Sequence, residues 1–389
     1  MVEHGNRKSG KAHRHALRRL QVHRAVADFS AFKAETVQYR LELRANPNAR
    51  LIRAFGLENS FTTTDPYVHT EFVRKAKKAI QTAGTEEWIM LGDDTKKLIH
   101  RCLSHFENER PYIPLAHLIR VVSFGLISSK LFSIDPSKMD IDDATTATEA
   151  INRLWAQSKE RDAVPSLYDI ELLYNALRRV LPIPGPFSGT ENPLNLIMPA
   201  YETLWRVVLL TFVSVTDINI DPITRHRLQQ ALDCVPKCLQ QNNEAEKNAL
   251  AIAKEGLRLY PPTKRIYRAQ TNTCDEERAD VEACHRSPEI WGPDALEFKP
   301  MRFYGQAELT LDQRSSYFPF GVGSHMCPAA AGFGERIITL LVVELARISL
   351  ARGIAGIHLG NARAHEGQTG LLPTGRCDME SWTLELDQH

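Results

Sequence analysis

The chain has 389 residues, 43% hydrophobic and 24% charged, with 48 Lys and Arg against 47 Asp and Glu. This composition excludes a mostly disordered chain. The net charge of +1 excludes a general polyanion binder, so no nucleic-acid partner is expected.

The chain order begins with a basic stretch. Residues 1–24 carry Arg7, Lys8, Lys11, Arg14, Arg18, Arg19 and Arg24 against Glu3 alone. They read as a solvated, partly helical leader; an anionic membrane surface and a mitochondrial targeting segment are the alternatives. Residues 11–45 lack Pro and Gly and read as helix, ended by Asn46-Pro47-Asn48. Asp65-Pro66 starts the next helix, since Asp caps and Pro fits the first helical position. It runs through His69, Phe72 and Arg74 to about Thr82. Further helices are expected over Leu115 to Phe132, Asp143 to Lys159 and Leu167 to Val180. A breaker run, Leu181 to Pro186, follows.

Asn195 to Val215 reads as one long apolar helix that carries an awkward polar pair, Glu202-Thr203. Asp221-Pro222 opens another, and Asn242 to Leu259 is helical up to Pro261-Pro262. The texture then changes. Short β-like pieces, Arg265 to Ala269 and Asp280 to Ala283, stand among Pro and Gly. A last long helix is expected from about Ala330 to Ala351, with a strand at Trp382 to Leu386. Length alone allows about two to three domains. No linker divides the chain, however, so 1–389 reads as one large domain, mainly α with a minor β part. No apolar run reaches the roughly 18 residues of a membrane span; Val207 to Val215 and Ile337 to Ala346 are the best and fall short. Seven cysteines, an odd number, point to a reducing compartment rather than a disulfide framework.

Four segments carry chemistry. Phe318-Pro319-Phe320-Gly321-Val322-Gly323-Ser324-His325-Met326-Cys327-Pro328-Ala329 puts a cysteine at the end of a glycine-punctuated loop, just before an apolar helix. Backbone N–H groups there stabilise a thiolate. Cys327 has no partner at zinc-finger spacing, so a single axial ligand to a haem iron fits better than zinc. Glu255-Gly256-Leu257-Arg258 places two charges three residues apart on one face. Pro300-Met301-Arg302-Phe303 is uninformative alone. Pro199-Ala200-Tyr201-Glu202-Thr203 buries an acid and an alcohol in an apolar helix, which is unfavourable without a partner or a role.

In this order the four segments resemble the cytochrome P450 family. Phe320 to Ala329 is similar to its haem-ligand loop, Glu255 and Arg258 to its E-x-x-R pair, and Pro300, Arg302 and Phe303 to the P-x-R-F element. Pro199 to Thr203 is similar to its distal-helix motif, and His285 to Gly292 to a stretch typical of fungal members. The likeness is strongest from 190 to 350, the expected haem-binding core; 1–60 is atypical. The resemblance implies a P450-like fold and haem b. It implies Cys327 as the proximal thiolate, with Phe320, Gly321 and Ala329 around the sulfur. His325 and Arg268 would meet haem propionate, and Arg74 with His69 would cover the other one. Ala200 would lie near the oxygen site, and Thr203 and Glu202 would relay protons. Glu255, Arg258 and Arg302 would form a structural charge cluster.

The chain departs from the family in length ahead of the distal helix and in the missing Trp near Arg74. No membrane anchor is expected. The implied function is a haem-thiolate monooxygenase acting on an apolar small molecule, a secondary metabolite, with O2. Electrons would come from a separate NADPH-cytochrome P450 reductase. The alternatives are peroxide use or rearrangement without O2 insertion, and a non-catalytic haem-binding remnant. The expected location is cytoplasmic, with at most peripheral contact at the endoplasmic reticulum surface.

Overall fold

The computed structural model describes residues 37–109, 112–160, 164–216, 220–269, 276–304, 309–322, 326–360, 362–363 and 371–387. The basic stretch 1–24, His325 and the side chain of Arg268 lie outside the described residues.

The elements in chain order are α1 (Val37–Phe55), α2 (Pro66–Ile80), α3 (Thr85–Glu109), β1 (Ile113–Pro114), α4 (Leu115–Phe132), α5 (Ile141–Gln157), α6 (Leu167–Val180) and α7 (Leu194–Tyr201). There follow α8 (Leu204–Val215), α9 (Pro222–Cys234), α10 (Glu244–Leu259), β2 (Arg265–Ala269), β3 (Glu276–Asp280) and α11 (Val281–His285). The remainder are α12 (Pro288–Trp291), α13 (Leu311–Ser315), α14 (Phe333–Arg352), β4 (Ile354–Leu359), β5 (Ala362–Arg363) and β6 (Trp382–Leu386). The chain is therefore mainly α, with two small antiparallel sheets. One is ordered β1-β6-β4-β5 and the other pairs β2 with β3.

Side-chain caps start the helices where the sequence predicts them. Asp65 accepts from Tyr67 N–H at 2.7 Å, and Asn243 accepts from Glu246 N–H at 2.9 Å. Four local expectations need correction. The first helix does not end at Asn46-Pro47-Asn48; it continues to Phe55. Asn48 Nδ2 donates to the Arg44 carbonyl at 2.9 Å, adding a bond at the turn that proline disturbs. The expected helix over 195–215 is two, α7 and α8, broken at Glu202-Thr203. Asp280 to Ala283 is not a strand: the strand ends at Asp280, whose side chain caps α11. The 25-residue helix α3 was not anticipated at all, although Trp88, Leu91, Leu98, Cys102 and Phe106 are buried along it at helical spacing.

One hydrophobic core runs from Leu51 to Leu384. Helix α8 packs against α4, α10 and α14 within it. Gly256 lets α8 and α10 approach closely, since a Cβ there would lie 2.0 Å from Thr211 Oγ1. Two segments, Leu115–Phe132 and Leu194–Val215, are long and apolar enough to cross a membrane, but 72% of each is buried inside the protein. They are core helices in this fold. Arg120, 1% exposed on α4, pins the C-terminal turn Asp378–Ser381 through Glu380 at 2.6 and 3.0 Å. These contacts bring the broken α7–α8 junction, the end of α10 and the start of α14 into one region.

Candidate active site

The scaffold of the site is an ion cluster on α10. Arg258 donates to both oxygens of Glu255, at 2.8 and 2.7 Å, and both side chains are 0% exposed. Its Nη1 also donates to the carbonyls of His285 and Ala295, each at 2.7 Å. Glu255 Oε1 accepts from Lys299 N–H at 2.9 Å and has Arg302 Nε at 3.5 Å. Arg302 donates to the carbonyls of Trp291 and Asp294 at 2.7 and 2.6 Å. Burial acts to raise the Asp294 carboxyl, but Arg302 and Lys299 overcome it and hold it at about 2. Sequence reasoning assigned Glu255, Arg258 and Arg302 to one cluster, and the structure brings them together. They fasten the 285–302 meander to α10.

That meander supports the cysteine loop. Burial pushes His285 down to about 3, so it stays neutral and its Nε2 accepts from Phe318 N–H at 3.1 Å. The loop then turns tightly: Gly321 N–H donates to the Phe318 carbonyl at 3.0 Å, with Gly321 at φ 74°. Cys327 N–H returns to the Phe320 carbonyl at 3.0 Å. The Phe320 ring lies against Gly334 at the start of α14, where a Cβ would come within 2.5 Å of it. Phe320, Ala329 and Ala200 are only partly buried against the core.

Burial raises the Cys327 thiol above its usual value, while the Ala329 N–H and the Arg44 guanidinium oppose that rise. Both opposing groups favour the thiolate, the form that binds metal. No cluster of three or more His, Cys, Asp or Glu able to hold a metal ion exists among the described residues. The donor set of one soft thiolate with partly buried apolar neighbours fits an axial ligand to haem iron.

Arg44 was missed by sequence reasoning. Burial pushes it down to about 10, and it donates to Ser60 Oγ at 2.9 Å and lies 4.2 Å from the centre of the Phe61 ring. Ser60 Oγ is 2.7 Å from His69 Nδ1. His69 thus reaches the cysteine side of the molecule through Ser60 and Arg44. Arg74 does not: it is 62% exposed and bound by Glu71 at 2.8 Å, one turn away on α2. The signal for Arg44 was weak, a single cation in a basic helix.

The α7–α8 break carries the acid and the alcohol. Pro199 cannot donate to the Asn195 carbonyl, and Asn59 Nδ2 does so instead at 3.1 Å. Thr203 then stands at the start of α8 without a side-chain capping bond, and its hydroxyl has no partner among the described residues. It lines a cleft with Arg206, Leu210, Tyr260, Lys264 and Thr374. Glu202 is 2% exposed and forms a close ion pair with Arg376. Arg376, 10% exposed, rests near the Trp155 and Trp205 rings. The acid and the alcohol are adjacent in sequence but have different surroundings: one faces a cation, the other the cleft.

Comparison with known proteins agrees with this geometry. The cytochrome P450 family model matches residues 249–337, which hold the charge cluster and the cysteine loop. The chain is 34% identical over 108 residues to cytochrome P450 714A2 of Arabidopsis thaliana, covering 25% of this chain and 20% of that protein. It is 35% identical over 116 residues to beta-amyrin 24-hydroxylase of Glycine max, covering 26% and 21%. The matched segment thus spans about a fifth of each relative's length. Among solved structures, a six-coordinated cytochrome P450 from Thermus thermophilus aligns over 91% of this chain and 86% of its own, with a TM-score of 0.57 and 18% identity. The fold is that of the cytochrome P450 haem domain, and the sequence matches support the same family.

Proposed function

We propose that this chain, with a cytochrome P450 fold and a family-matching core, is a haem-thiolate monooxygenase holding haem b. The single observation that carries this is the Cys327 thiol, backed by the Ala329 N–H and the Arg44 guanidinium, on a loop braced by Phe320 and the Glu255–Arg258–Arg302 cluster. When bound, a haem held by thiolate supplies electron-rich iron able to split dioxygen. One oxygen atom would enter the substrate and the other leave as water, with two electrons from NADPH through a separate reductase.

The protein's own groups set the conditions. Cys327 would hold the iron, and Arg44 with His69 offers donors on that side. His325 and Arg268 are carried over as propionate contacts by resemblance. Thr203 presents a hydroxyl with no competing bond among the described residues, so it can hold or pass a proton to dioxygen in the cleft. Glu202 supplies the adjoining carboxyl, which Arg376 holds in place.

An apolar secondary metabolite is the proposed substrate class, supported by the hydroxylase among the relatives. The basic stretch 1–24 supports a cytoplasmic site of action with peripheral contact at the endoplasmic reticulum surface. The test is coupling: with reductase and substrate, Thr203→Ala is expected to raise peroxide released per NADPH consumed. Unchanged coupling counts against the relay. Turnover that needs no NADPH would replace this proposal with a peroxide-using or rearranging enzyme.

A further inference from the structure

The cleft beside Thr203 contains a cation with no counterpart among the described residues. Arg206 lies one turn along α8 from Thr203, so the two side chains share a face. It lines the cleft, yet it makes no ion pair or hydrogen bond among the described residues, and its Nε is buried without a partner. Lys264 lines the same cleft and donates to Thr374 Oγ1 at 2.6 Å.

More positive charge converges behind them. Lys159 is held down to about 8 by dehydration and then by the charges of Arg376, Arg206, Arg50 and Lys264. The carboxylates nearby are already committed. Glu202 is taken by Arg376, and Glu282 is shared by Lys264 at 3.4 Å and Arg286 at 2.8 Å. Arg50 is satisfied by Ser158 Oγ at 2.6 Å and by the Trp155 ring. Arg206 alone in this group has neither.

A desolvated guanidinium without a partner is unfavourable, and a carboxylate matches its fork with two charge-assisted hydrogen bonds. Val207, Leu210, Pro261 and Pro262 supply apolar wall, and Tyr260 and Glu282, the latter paired with Lys264 and Arg286, complete it. From this we infer that the cleft seats the carboxylate end of an apolar small molecule, held by Arg206 with Lys264 in support. The inference rests on the monooxygenase proposal for what is done to the ligand, and on the cleft alone for its binding. A haem propionate is the other source of a carboxylate. The described cation whose charge acts on Cys327, however, is Arg44, whereas Arg206 follows Thr203 on the distal helix.

The test uses the full chain loaded with haem. Dodecanoate, abietate and the methyl ester of each are titrated by calorimetry and by the haem difference spectrum. The acids are expected to bind at least about tenfold tighter than their esters, as charge-assisted bonds require. In Arg206→Gln that preference should fall to about one, with haem content and the carbon monoxide band unchanged. Lys264→Met, a second variant on a different element, should weaken the acids and leave the esters alone.

Equal binding of acids and esters by the unaltered protein would overturn the inference, as would a preference that survives in Arg206→Gln. No binding by any of the four probes would do the same. Loss of haem from a folded Arg206→Gln would assign this arginine to a propionate instead. An abnormal carbon monoxide band in the unaltered protein would count against the monooxygenase proposal, while the calorimetric comparison of acid and ester would still decide the present one.

Discussion

The ion cluster behind the cysteine loop and the cleft beside Thr203 are both rich in buried charge, and they treat it differently. In the cluster, Arg258 is matched by Glu255 and by three backbone carbonyls, and Arg302 by Asp294 and two more. In the cleft, neither Arg206 nor the Thr203 hydroxyl has a partner among the described residues. A matched buried ion fixes structure, because removing one partner strands the other. An unmatched one lowers stability and marks a place where a ligand can complete the set.

Three measurements break or sharpen that contrast. Arg258→Ala should have the largest effect, leaving Glu255 charged and buried. A loss of about 3–5 kcal/mol is expected in denaturant unfolding, together with failure to take up haem. A stable variant that takes up haem normally would show that the cluster is dispensable.

Acid should have a smaller effect. Burial acts to raise the Glu380 carboxyl, but His117 and Arg120 outweigh it and hold it at about 2, below an ordinary value of 4.5. Its contribution is therefore complete above about pH 4.5 and is lost as pH falls toward 2. With a side chain 36% exposed, solvent screening reduces the contribution to about 1–2 kcal/mol. The slope of stability against pH should flatten in Glu380→Gln; an unchanged slope would remove Glu380 as its source.

Arg206→Gln should have the smallest effect, within about 1 kcal/mol of the unaltered protein or slightly stabilising, since no partner is stranded. A destabilisation as large as that of Arg258→Ala would show that Arg206 is structural, and the contrast between the two regions would collapse.

How far the sequence disclosed each region follows from how local its residues are. The cysteine loop is contiguous, and its glycines, Phe320 and Cys327 were legible together. Glu255 and Arg258 lie one turn apart, so their pairing was legible, although their burial became clear only from the meander folded over them. The cleft is different. Arg206, Lys264 and Thr374 come from an α-helix, the bend before β2 and a C-terminal loop, and no sequence pattern joins residues that far apart. Arg376 likewise gave no local hint that it would meet Glu202. The break between α7 and α8 was hidden because an apolar helix tolerates Pro199 when Asn59 supplies the missing donor. Short elements misled as well: Asp280 is both the end of a strand and a helix cap.

The central claim is that Cys327 binds haem iron as a thiolate. Carbon monoxide added to the dithionite-reduced protein tests it most directly. The unaltered chain is expected to give the strongly red-shifted Soret band of thiolate-ligated haem, and Cys327→Ser to lose that band while keeping its helical circular dichroism. A band at the ordinary histidine-haem position in the unaltered protein, or the same red-shifted band in Cys327→Ser, would contradict the claim.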